Sequence, residues 1–275
     1  DNVLIGNGSN EMIFTILAAT LETGKKIVIS TPTFAVYNLI SSNLNADIKK
    51  IPLNEDFSFR IDEILRESKS PGSVTVLCSP NNPTGTSLSR NDIETIVKSS
   101  EGIVVIDEAY IHFGGETAID LITKYDNIII LRTFSKAFGL AGLRIGFMIS
   151  NKRLIKELSK VKLPYNLNIF TLITLSEIFN NMNIVEKNIE DILKEKKYLL
   201  EELSKLNSIK IIPSEANFFL VKFEDSNAVF SRLVKKGILI RDYGSYPMLE
   251  NCLRISVGKR EENDALINAL KEILN

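Results

Sequence analysis

Short β-branched and apolar runs alternate with stretches of helical periodicity from the start of the chain. Residues 26–30, 48–53, 73–79, 102–106 and 127–131 read as strands. Between them, residues 9–21, 34–42, 61–67 and 89–99 repeat their apolar positions at about 3.6 residues, which predicts helices. Ser89-Arg90-Asn91-Asp92 supplies a capping pattern for the last of these. Such alternation predicts an α/β fold with a mostly parallel central sheet and helices on both faces. Ahead of it lies a short apolar segment, Val3-Leu4-Ile5, followed by a loop.

After a further strand over residues 143–149 the texture becomes helical, first over 151–161 and then, past Pro164, from about 168 to 206. The remainder alternates again. Strands are expected at 209–212, 217–223, 238–241 and 252–257, with helices at 227–235 and 261–274. The expected organisation is a large domain over residues 1–167, then linker helices and a smaller C-terminal α/β domain over 168–275. No internal repeat or low-complexity tract interrupts it.

Composition narrows the function. Of 275 residues, 44% are hydrophobic and 24% charged, enough for a substantial core. Lys+Arg 33 against Asp+Glu 34 leaves a net charge of -1 and no basic footprint for nucleic acid. The apolar runs fall far short of the roughly 20 residues that span a bilayer, and no signal-peptide pattern opens the chain. A cytoplasmic protein acting on small molecules is expected. Cys78 and Cys252 are far apart and lack metal-ligand spacing, so both are expected reduced and buried. The single histidine, His112, reads as a loop residue and builds neither a Ser-His-Asp triad nor a metal site. No phosphate-binding run of the Gly-x-x-x-x-Gly-Lys-Ser/Thr type is present.

Candidate chemistry gathers where strands end, the place ligands occupy in open α/β sheets. Lys136 follows the strand at 127–131 within Thr133-Phe134-Ser135-Lys136-Ala137-Phe138-Gly139, and Arg144 lies eight residues on. A primary amine flanked by apolar residues can form a Schiff base with a carbonyl cofactor, and Ser135 and Arg144 offer donors to a phosphate. Gly6-Asn7-Gly8-Ser9-Asn10 leads directly into the first helix. Alone it is a turn and cap, and its Asn-Gly-Ser sequon marks a turn; beside Ser135, Lys136 and Arg144, the amides of Gly8, Ser9 and Asn10 can complete a phosphate cup. Asp107 ends the apolar run Ile103-Val104-Val105-Ile106, where a carboxylate is costly to desolvate unless paired. Arg241 and Arg254 lie inside apolar strand patterns and need anions, either a substrate or a structural carboxylate.

Ser79-Pro80-Asn81-Asn82-Pro83-Thr84-Gly85, Asp107-Glu108-Ala109-Tyr110 and the Ser135-Lys136 segment together resemble the pyridoxal-phosphate enzymes of the aspartate-aminotransferase fold, in the branch containing histidinol-phosphate aminotransferase. The resemblance runs over nearly the whole length. It implies pyridoxal 5′-phosphate as cofactor, with Lys136 binding it and then shuttling the proton of transamination. Asp107 is implied to hold the pyridine nitrogen, Asn82 and Tyr110 the ring oxygen, and Phe34 to stack on the ring, though a Phe at a helix start also serves as core. Arg254, assisted by Arg241, is implied to grip the anionic groups of a phosphorylated amino substrate and of 2-oxoglutarate or glutamate. Asn217, Tyr165 and Asn168 are further candidates on the substrate side, whereas Tyr37 reads as structural.

The implied reaction is transamination between histidinol phosphate and 2-oxoglutarate in histidine biosynthesis, by a homodimer. Two alternatives stand beside it: a threonine-phosphate decarboxylase of cobalamin synthesis, similar in Gly6-Asn7-Gly8, Phe34-Ala35 and Tyr246-Pro247, and a ligand-binding relative without activity. Members of the resembled family carry several dozen further residues ahead of the position of Asp1, including an arm that packs on the neighbouring subunit, so a front end beyond this chain is expected.

Overall fold

The computed structural model describes residues 1–274. A seven-stranded sheet forms its larger part: β1 (Val3–Asn7), β2 (Lys26–Thr31), β3 (Asp47–Pro52), β4 (Val74–Cys78), β5 (Ile103–Asp107), β6 (Ile128–Thr133) and β7 (Ile145–Ile149), in the order β1-β7-β6-β5-β4-β2-β3. The pairs among β2 to β6 are parallel, while β7 runs antiparallel to both β6 and β1. The opening apolar segment is therefore a full edge strand, in register from Val3 opposite Ile149 to Asn7 opposite Ile145.

Both faces of this sheet are buried, which explains its unbroken apolar runs. In β6, Ile128 and Ile130 enter one core, and Ile129 and Leu131 enter the other. On the first face α3 (Ile61–Ser68) and α4 (Arg90–Ser99) add Ile64, Ile93, Ile96 and Val97. The second face is covered by α1 (Ser9–Thr20), α2 (Ala35–Asn43) and α5 (Lys152–Ser159), through Met12, Ile16, Tyr37 and Leu158. The expected cap is present, with the Ser89 hydroxyl accepting from the Asp92 N–H at 3.1 Å.

The long helical stretch is two helices, α6 (Ile169–Asn180) and α7 (Met182–Leu203). They part at Asn181, whose backbone leaves the helical region at φ -129 and whose side chain donates to the Glu177 carbonyl at 2.8 Å. Asparagine offers the backbone that alternative bond, and apolar periodicity does not register it.

The C-terminal sheet is antiparallel, in the order β10-β11-β9-β8, from β8 (Lys210–Ile211), β9 (Phe218–Lys222), β10 (Arg241–Asp242) and β11 (Cys252–Ser256). The apolar run at 238–241 yields only the two-residue edge strand β10. Ile238 and Ile240 pack on the core without joining the ladder. α7, α8 (Ser226–Lys235) and α9 (Arg260–Leu274) cover one face, where Phe219, Val221, Leu253 and Ile255 point. Alternation turns Leu220, Cys252 and Arg254 to the opposite face, and Leu220 and Cys252 there join the core of the large sheet. Among the described residues, no helix is long and apolar enough to cross a membrane.

Candidate active site

A cavity of ≈ 730 Å³ opens where the carboxyl ends of β4, β5 and β6 meet the inward face of β11, lined among others by Ser9, Asn82, Asp107, Lys136, Arg144 and Arg254. Its size suits a cofactor together with a small substrate.

One end is an anion cup. Gly8 adopts φ 80 and ψ 163, a region open essentially to glycine, and turns the chain into α1 without a side-chain cap. The first amides of that helix, at Ser9 and Asn10, thus keep free donors at its positive end. Arg144, in the left-handed region at φ 55, lays its guanidinium against this turn: a Cβ on Gly8 would stand 2.6 Å from Nη2. Arg144 makes no ion pair among the described residues; its Nη1 donates to the Ala141 carbonyl at 3.1 Å. Ser135 completes the wall, its N–H donating to Thr133 Oγ1 at 3.1 Å.

Lys136 stands in the middle, its Nζ 5.3 Å from the Tyr110 ring centroid. It is accessible through the cavity mouth, yet enough protein surrounds it to depress the amine's pKa by burial, assisted by the charge of Arg254 and opposed by Asp107. Asp107 is buried, which pushes its pKa up; the Tyr37 hydroxyl and the Ala109 amide act against that rise. Tyr37 donates to Oδ2 at 2.7 Å and the Ala109 N–H to Oδ1 at 3.0 Å. Beside them burial, and then Asp107, push the Cys78 thiol up to about 12, leaving it inert. Glu108, next along the chain, is spent on structure: it accepts from Arg132 at 2.8 Å and from the Ala118 amide at 2.7 Å.

The far wall carries Arg241 and Arg254 with Tyr243 and Tyr246. Arg254 and Arg241 are directly opposite in the β10–β11 ladder and so project from the same face. Arg254 donates through Nη1 to Asn82 Oδ1 at 2.7 Å and lies 4.8 Å from the Phe218 ring centroid. Its Nε is buried without a partner, and neither arginine makes an ion pair among the described residues. The carboxylate that would have made them structural is absent from the described residues. Tyr110, buried edge-on against Phe218 at 5.1 Å, has its hydroxyl pKa raised by burial and stays a donor.

Of the sequence candidates, Gly8, Ser9, Asn10, Phe34, Asn82, Asp107, Tyr110, Ser135, Lys136, Arg144, Arg241 and Arg254 are brought together around this cavity. Asn217, Tyr165 and Asn168 are not on its wall. The Asn217 carbonyl accepts from Val257 at 2.9 Å, Tyr165 is fully exposed at φ 57, and Asn168 caps α6 by accepting from the Thr171 N–H at 2.9 Å. His112 also lies off the wall, against Phe138. Tyr37 and Tyr243 belong to the lining unannounced by any motif. No cluster of metal-ligating side chains occurs among the described residues.

The aminotransferase class I and II family matches residues 1–270. The chain belongs to this family. It is 42% identical over 274 residues to a histidinol-phosphate aminotransferase of Thermoanaerobacter pseudethanolicus, a match covering 99% of this chain and 78% of that relative. Among solved structures it resembles the histidinol-phosphate aminotransferase of Clostridium acetobutylicum, with a TM-score of 0.90 and 25% identity, covering 100% of this chain and 84% of that one. It also resembles a decarboxylase of Sulfurospirillum multivorans, with a TM-score of 0.89 and 31% identity, covering 100% of this chain and 82% of that one. The expected fold and the resemblance to pyridoxal-phosphate-dependent aminotransferases are thereby borne out, and a relative without activity drops from consideration.

Proposed function

We propose that the chain transfers the amino group of histidinol phosphate to 2-oxoglutarate in histidine biosynthesis. The relative at 42% identity supports the substrate, and the observation that carries the reading is the pair Arg254 and Arg241. Arg254, half-buried without a carboxylate and with a buried unpaired Nε, calls for an anion from outside the protein, and Arg241, exposed beside it on the edge strand, adds a second positive charge on the same face. Both substrates bring anions, one as a phosphate and the other as two carboxylates.

The residues of the cavity fit pyridoxal 5′-phosphate. An uncapped helix start with Arg144 packed on Gly8 suits a phosphate, and a buried carboxylate with a raised pKa suits a protonated ring nitrogen. Ser9, Asn10, Ser135 and Arg144 would hold the phosphate, with Gly8, whose own N–H is bonded to the Gly6 carbonyl at 2.9 Å, shaping the turn; Asp107 would hold the nitrogen, Asn82 and Tyr110 the ring oxygen, and Phe34 one ring face. When bound, the cofactor supplies the carbonyl that receives the amino group and the conjugated ring that stabilises charge at the substrate's Cα. Lys136 would hold the cofactor through its amine and, once that amine is free, would move the proton at the substrate's Cα. Burial favours this by leaving more of the amine neutral near pH 7. Arg254 and Arg241 hold the substrate anions and so decide which bond at Cα faces the lysine.

We place residues 1–167 in the cofactor-binding domain and 168–275 in the linker helices and small domain. The protein is proposed to act in the cytoplasm as a homodimer, supported by the exposed apolar run of Leu163, Tyr165, Ile169, Phe170 and Ile173. A second reading, threonine-phosphate decarboxylation, is supported by likeness to solved decarboxylases, one of them an L-threonine-O-3-phosphate decarboxylase of Porphyromonas gingivalis at 25% identity and a TM-score of 0.86. A competition assay decides between them: protein, cofactor, 2-oxoglutarate, histidinol phosphate and threonine phosphate, with products identified by mass spectrometry. Glutamate with imidazole-acetol phosphate is expected. Aminopropanol phosphate with carbon dioxide would overturn the first reading in favour of the second.

A further inference from the structure

We propose that Tyr37 is a positioning residue for Asp107, its hydroxyl fixing the rotation and charge of the carboxylate that the cavity presents to a cationic ring nitrogen. This rests on the reading of the cavity as a pyridoxal-phosphate site. A carboxylate turns easily about its last side-chain bond, and a single donor leaves that rotation loose. Here two donors from different elements pin different oxygens: the Tyr37 hydroxyl of α2 holds Oδ2 at 2.7 Å and the Ala109 amide holds Oδ1 at 3.0 Å. Tyr37 is itself immobilised, with 0% of its surface exposed and its ring edge-on to Phe34 at 5.7 Å and 84°. The ring wall, the donor and the carboxylate therefore form one packed unit.

The other titratable groups facing this pair are Cys78 on β4, opposite Asp107 in the ladder, Lys136 from the loop after β6, Tyr110, and Glu108 beside it, which Arg132 neutralises. Of these, only Lys136 favours ionised Asp107, and it does so through its charge rather than through a hydrogen bond. Tyr37 and the Ala109 amide are thus the neutral donors that favour the charged form of the carboxylate against its burial, and Tyr37 is the one supplied by a side chain. Burial and Asp107 push the Tyr37 hydroxyl well above its ordinary value, so it remains a donor over the whole working range.

The test compares the full chain with Tyr37→Phe, Asp107→Asn and the double variant, reading pyridoxal-phosphate affinity against pH by fluorescence quenching, with circular dichroism to establish folding. Tyr37→Phe is expected to weaken binding about tenfold with Asp107 present and less than about twofold in the Asp107→Asn background, as a lost charge-assisted hydrogen bond requires. Losing the donor raises the carboxyl pKa, so the acid limb of the binding curve moves to higher pH. Equal losses in both backgrounds, or an unmoved acid limb, would mean that Tyr37 only packs and would overturn the proposal. Failure of the unmodified protein to bind the cofactor overturns the site reading and this inference with it. Should Tyr37→Phe not fold, Tyr37→Met, which also lacks the donor, carries the same comparison.

Discussion

Replacing Gly8 by alanine separates phosphate recognition from every other part of the cavity. Two costs follow from the geometry. At φ 80 and ψ 163, any residue with a Cβ is strained, by about 1–3 kcal/mol. The new Cβ would also stand 2.6 Å from Arg144 Nη2, closer than non-bonded carbon and nitrogen tolerate, so the guanidinium must leave the turn. Losing one charge-assisted hydrogen bond to a phosphate costs about 1.5–3 kcal/mol, or roughly 10- to 100-fold in affinity. The assay is a pair of equilibrium titrations, one with pyridoxal 5′-phosphate and one with pyridoxal, which lacks the phosphate. Gly8→Ala is expected to show the full loss with the first ligand and less than about twofold with the second. Equal losses with both ligands would mean that the substitution damages the cavity as a whole, and unchanged binding of the phosphate would refute the cup.

Arg254→Gln removes a positive charge that depresses the Lys136 amine, so the pH midpoint for cofactor attachment, below the ordinary 10.5 of lysine, should move upward; a stationary midpoint would remove Arg254 from the electrostatics of the site. Burial raises the folded-state pKa of Asp107, so the stability it contributes is complete below the unfolded value and is lost as pH rises through the folded one. Asp107→Asn should therefore raise the melting temperature of the cofactor-free protein near pH 7 by about 2–4 °C while abolishing tight cofactor binding; a lower melting temperature would contradict this. Phe170→Glu places a charge on the exposed apolar run before and within α6, and sedimentation should show a shift from dimer to monomer. An unchanged dimer would move the interface elsewhere.

The large sheet was readable because strands covered on both faces are nearly continuous in β-branched residues, as in β6. Arg254 was readable for a related reason: a charge inside an apolar strand has to meet something. Tyr37 was not. An i, i+3 spacing from Phe34 puts both rings on one helix face, but its partner Asp107 lies 70 residues away and only the packing of α2 on the large sheet brings them together. Tyr165 and Asn168 were read into the substrate wall, yet their local chemistry, a left-handed turn and a helix cap, is complete without a ligand. The break at Asn181 was hidden in the same way, since apolar periodicity is silent on a side chain that bonds the backbone of the preceding turn, here the Glu177 carbonyl.

Loading the protein with pyridoxal 5′-phosphate, reducing it with borohydride and mapping the modified peptide by mass spectrometry tests directly whether Lys136 holds the cofactor. A single pyridoxyl label on Lys136 is expected. A label on a different lysine, or none at all, would contradict it.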